Sequence, residues 1–108
     1  MEFDKLVRDK IPFILKDKGI EAVVSRVGRY NHEAYLLKKL REEVEEVAQD
    51  KNIDELADVL EVVLALCNYY GYSTKDLESA LLNKREKVGA FNEGYILIRT
   101  KNNLLRKK

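Results

Sequence analysis

Two stretches decide how this chain folds: KLREEVEEV at residues 39–47 and ELADVLEVV at residues 55–63. In each, two acids stand three positions apart among aliphatic residues, Glu43 and Glu46 in the first, Glu55 and Asp58 in the second. On a helix, residues three apart share a face, with Cβ atoms about 5–6 Å apart. Around the first stretch Leu37, Leu40, Val44, Val47 and Ala48 recur at intervals of three and four, which predicts a helix from about His32 to Gln49. The second stretch lies in a helix predicted over Ile53 to Tyr70, with Asn52 as N-cap and Asp54 and Glu55 in the first turn. The linker from Asp50 to Asn52 is so short that the helices must be antiparallel neighbours. The expected fold class is therefore all-α, a helical bundle.

Reading outward, the second helix is apolar on nearly all sides. Ile53, Leu56, Leu60, Leu64 and Cys67 form one stripe, and Val59, Val62, Val63 and Leu66 another. One is expected to face the core and the other a subunit interface, since solvent on either side would be costly. Pro12 suits the first turn of a short helix over about Ile11 to Asp17, stopped by Gly19. After Gly71, with Ser73 or Thr74 as cap and Asp76 and Glu78 early, a third long helix is predicted to about Lys87. Two β-branched runs, EAVVSRV at Glu21 to Val27 and YILIRT at Tyr95 to Thr100, read as short strands able to pair. Gly89 and Gly94 bracket a loop, and the tail from residue 101 to 108 is expected to be loose. One proline, no repeats and 108 residues with 45% hydrophobic content predict one domain over 1–108. A chain of this size buries only roughly 65% of its unfolded surface, so a homodimer or higher homo-oligomer is expected.

Composition narrows the function. Cys67 is the only cysteine and His32 the only histidine, which excludes a disulfide, a C-x-x-C motif and an imidazole set for zinc, and leaves poor material for a nucleophilic triad. The opening MEFDKLVRDK has no apolar signal core, and the longest apolar run, Val62 to Cys67, is too short to span a bilayer, so a cytoplasmic, membrane-free protein is expected. The net charge of +1 hides a segregation: residues 1–41 carry +4, residues 42–78 carry −9 and residues 79–108 carry +6. An acidic centre between basic ends suits a cation-bridged polyphosphate, with carboxylates on metal and Lys or Arg on phosphate. Nucleic acid is disfavoured by the near-zero net charge and scattered aromatics, despite the basic ends KREK and LLRKK.

The two acid pairs would meet near one end of the helix pair. Buried together they repel unless a cation or protons neutralise them. Glu55 and Asp58 also interrupt an otherwise almost wholly apolar helix, where Leu or Ala would pack better. Hard oxygen ligands in this number suit Mg²⁺ or Mn²⁺. The plainer reading is that Glu43 and Glu46 belong to a solvated face with Lys39 and Arg41, while Glu55 and Asp58 favour a helix N-terminus.

With these residues in view, KLREEVEEV and ELADVLEVV resemble the E-E-x-x-E and E-x-x-D motifs of MazG-like, all-α nucleoside triphosphate pyrophosphohydrolases. KLVRDKIP at Lys5 to Pro12 and KREKVGAFNEG at Lys84 to Gly94 are similar to the phosphoribosyl-ATP pyrophosphohydrolase-like branch. The resemblance spans most of the chain. It implies Glu43, Glu46, Glu55 and Asp58 as catalytic metal ligands, with Glu42 as the adjoining motif acid. Glu61, three residues on from Asp58, is a ligand, a water-orienting base or a partner for Lys or Arg. Arg8, Lys10, Lys84, Arg85 and Lys87 fall in the matching motifs and are candidates for phosphate contacts. The implied reaction is cleavage between the α and β phosphates of non-standard or surplus nucleotides, a house-cleaning role, giving a nucleoside monophosphate and pyrophosphate with Mg²⁺. Phosphoribosyl-ATP as substrate is the alternative within the family. A non-catalytic dimerisation or regulatory module is the alternative outside it. No Walker A or G-x-G-x-x-G loop exists, so phosphate would be held by metal and side chains.

Overall fold

The computed structural model describes residues 4–101, and among them four helices and no strands: α1 (Ile11–Asp17), α2 (Arg29–Asp50), α3 (Ile53–Tyr70) and α4 (Thr74–Val88). The all-α expectation holds. The chain divides into two units, Met1–Thr74 and Lys75–Lys108. The first contains α1, α2 and α3; the second contains α4 after its first residue. Most of the expected loose tail lies outside the described residues.

Local chemistry explains the helix boundaries. Pro12 sits in the first turn of α1, where its missing N–H costs nothing. The helix ends on Gly19, whose φ of 73° needs no Cβ clearance, with the Ile20 N–H donating to the Leu15 carbonyl at 2.9 Å. In α2 the last turn closes on Lys51, the only non-glycine with positive φ among the described residues, at 54°. Its N–H donates to the Val47 carbonyl at 2.9 Å, and its ammonium donates to the Ala48 carbonyl. One residue later the Asn52 side chain accepts the Glu55 N–H at 3.0 Å and starts α3. Two capping residues thus reverse the chain. That reversal lays α3 beside α2.

The core of the first unit is the seam between these two helices. Leu36 on α2 is 2% exposed and packs with Val62 and Leu66 of α3, flanked by Leu6, Leu37, Leu40, Ala65 and Tyr69. Leu36 is absent from the apolar spacing first read for α2, yet it is the most buried residue of the chain's described part. Of the two stripes on α3, the one with Val62 and Leu66 is the core stripe. The other remains open over its first half, with Ile53, Leu56 and Leu60 at 76%, 53% and 54% exposure. At the far end of the seam Tyr69 donates to the Arg29 carbonyl at 3.1 Å, Tyr70 donates to the Glu33 carboxylate, and His32 meets the Tyr69 ring edge-on.

The two expected strands are not formed. Glu21–Val27 and Tyr95–Thr100 are irregular, and Val23, Val24, Ile96 and Ile98 are exposed. A β-branched run becomes a strand by packing on a pleated, half-buried surface, and neither segment has one here.

Candidate metal centre

The core stripe runs toward the α2–α3 turn and there changes from leucine and valine to carboxylate. On α2, Leu36 and Leu40 are followed after one more turn by Glu43; on α3, Leu66 and Val62 are preceded by Asp58 and Glu55. These steps of three and four keep the acids on the face that meets the partner helix. The Glu43 side chain is only 12% exposed. Glu55 and Asp58 are half-buried.

One oxygen from each of Glu43, Glu55 and Asp58 lies within 4.8 Å of the others. A second set, Glu46, Asp50 and Glu55, meets the same distance. Glu55 belongs to both. Of the four acids read from the sequence, Glu43, Glu55 and Asp58 come together, while Glu46, exposed like Asp50, joins only through Glu55. Asp50 was missed; its signal was the α2 spacing Glu43, Glu46, Asp50, which stays on one face to the last residue of the helix. Glu42 is half-buried and turned to Lys39, at 3.6 Å. Glu61 is exposed on α3, one turn from Asp58.

The electrostatics match a site short of positive charge. Partial burial pushes the Glu55 carboxyl above its ordinary range, and the neighbouring Asp50, Glu46, Asp58 and Glu43 carboxylates push it the same way. Two cations offset part of this. Arg8 donates through Nη2 to Asp58 Oδ1 at 2.6 Å, and Lys39 Nζ lies 3.5 Å from Glu43 Oε1. Of the other basic residues read as phosphate contacts, Lys10 is exposed at the N-cap of α1. Lys84, Arg85 and Lys87 are exposed on α4, in the second unit, with Arg85 and Lys87 in its last turn.

The donor chemistry fits a hard divalent cation. Every atom of the two groups that could meet an ion is a carboxylate oxygen, whereas His32 is engaged with Tyr69 at the far end of the seam and Cys67 lies near the end of α3 that is remote from the turn. Mg²⁺ keeps several waters and takes one or two carboxylates plus phosphate oxygens, a demand that a group of three carboxylates fits.

Comparison with known protein families, with curated proteins and with solved structures finds no match. No helix among the described residues is long and apolar enough to cross a membrane.

Proposed function

We propose that the chain is a Mg²⁺-dependent nucleotide pyrophosphohydrolase of MazG-like type, cleaving between the α and β phosphates to release a nucleoside monophosphate and pyrophosphate. The observation that carries this reading is the meeting of Glu43, Glu55 and Asp58 within 4.8 Å on two helices held by a shared core. A bound Mg²⁺ supplies neutralisation of the phosphate charge and a water activated for in-line attack.

The chain's own residues do the rest. Glu43, Glu55 and Asp58 would hold the ion, and Glu46 and Asp50, grouped with Glu55, would orient water beside it. The packed seam of Leu36, Val62 and Leu66 beneath them holds the two helices that carry these acids side by side. Arg8 stands beside Asp58, where its guanidinium can meet a phosphate. Lys10, exposed at the N-cap of α1, is a second candidate phosphate contact in the same unit, and Lys84, Arg85 and Lys87 of α4 are candidates on the motif resemblance alone. The open stripe of Ile53, Leu56 and Leu60 supports a homo-oligomer, because a contiguous apolar strip beside the site is costly to leave in water. A reducing, cytoplasmic setting accords with the single thiol of Cys67.

The test is pyrophosphate release from a panel of NTPs, dNTPs and phosphoribosyl-ATP, with and without Mg²⁺ or Mn²⁺. Release that requires the ion and is lost in Asp58→Asn supports the reading, and the preferred substrate separates house-cleaning from phosphoribosyl-ATP hydrolysis. No release from any substrate, together with melting indifferent to both ions, would leave a helical interaction module.

A further inference from the structure

Arg8 occupies its place by construction. Asp4 accepts the Tyr35 hydroxyl of α2 at 2.7 Å, Leu6 packs on the core, and the Arg8 carbonyl accepts the Ile11 N–H at 3.0 Å, so the segment before α1 is pinned at three points. Between those anchors the Arg8 side chain crosses to α3 and meets Asp58, fifty residues away in sequence. It is 56% exposed and makes this contact through one nitrogen, leaving most of its donor fork free. Asp58 is also one of the three acids of the candidate metal set. The same carboxylate therefore serves either a guanidinium or a divalent cation.

We propose that Arg8 is a displaceable counter-ion: it holds Asp58 while the carboxylate site lacks a divalent ion, is released when the ion takes Asp58, and then turns its fork to the phosphate of the incoming nucleotide. Occupation by a divalent ion and capture of phosphate are coupled through this one side chain. Lys39 differs, because it pairs with Glu43 along its own helix and links no second element. The inference rests on the metal-site reading and adds to it a competition that a simple surface ion pair does not entail.

The full chain and its Arg8→Gln, Arg8→Ala and Arg8→Lys variants are titrated with Mn²⁺ alone, with free Mn²⁺ followed by electron paramagnetic resonance. Inorganic pyrophosphate is then titrated calorimetrically at saturating Mn²⁺. An exposed ion pair is weak, so its removal should tighten Mn²⁺ binding about two- to fivefold in R8Q and R8A. Pyrophosphate binding should weaken about tenfold in both, as for loss of a charge-assisted contact. R8K, which keeps the charge, should return Mn²⁺ affinity to the wild-type value and restore part of the pyrophosphate affinity. Unchanged or weaker Mn²⁺ binding in both neutral variants overturns the competition while leaving the metal site standing. Absence of Mn²⁺ binding by the wild-type chain overturns the site itself, and the competition with it.

Discussion

Glu55→Gln offers the deepest test, because Glu55 alone belongs to both carboxylate groups. An ion that binds only the folded chain stabilises it by RT ln(1 + [L]/Kd), about 2.7 kcal/mol at a hundredfold excess over Kd. For a unit of this size that is a rise in Tm of roughly 10–20 °C. Replacing the shared ligand by an amide removes one anionic donor from each group; if Kd rises about a hundredfold, the same Mg²⁺ concentration leaves about 0.4 kcal/mol. Without metal the sign reverses. Partial burial and four neighbouring carboxylates raise the folded-state pKa of Glu55, so its ionised form is a burden on the folded chain at neutral pH. That burden is full above the raised pKa and disappears as pH falls to the ordinary glutamate value. E55Q should thus melt higher than wild type in EDTA at pH 7, melt equally near pH 4, and lose the Mg²⁺-dependent rise. Calorimetric scans at both pH values, with EDTA or Mg²⁺, read all three effects. An E55Q variant that keeps the wild-type Mg²⁺ increment would refute the argument, and so would one less stable than wild type in EDTA at pH 7.

Three further variants probe the frame that holds the site. Leu36→Ala, at the most buried position, should cost about 2–5 kcal/mol in urea denaturation, since both its packing and the space it leaves are lost at the seam. Asn52→Ala removes the oxygen that accepts the Glu55 N–H, and should cost about 1 kcal/mol and weaken Mn²⁺ binding measurably, because the first turn of α3 carries Glu55. Lys51→Gly should gain about 0.5–1 kcal/mol by relieving the left-handed backbone at φ 54°, less whatever the ammonium contact to Ala48 contributes; an unfolding midpoint at or below wild type would count against strain at this position.

The helices were legible for a local reason. Apolar residues at intervals of three and four, Asn52 before Asp54 and Glu55, and Gly71 after Tyr70 are signals carried within a few residues, and α3 spans the residues read for it. The start of α2 was less legible: it begins at Arg29, three residues before His32, with the Asn31 N–H already donating to the Gly28 carbonyl at 3.0 Å and no side-chain cap to mark it. The two β-branched runs misled because β propensity describes a surface to pack on, which sequence alone does not supply.

For the site, the sequence by itself determined the acid pairs and the short reversal that makes their helices neighbours. Helical spacing and capping are local, and the two linking residues Lys51 and Asn52 leave little geometric choice. The tertiary structure decided the rest. Rotation of each helix about its axis is set by which residues the seam buries, and burial of Leu36, Val62 and Leu66 turned Glu43, Glu55 and Asp58 toward one another, placed Glu46 with Asp50, and left Glu61 outside. It also brought Arg8 to Asp58, a pairing between residues fifty positions apart that only packing of the N-terminal segment against α2 and the core creates.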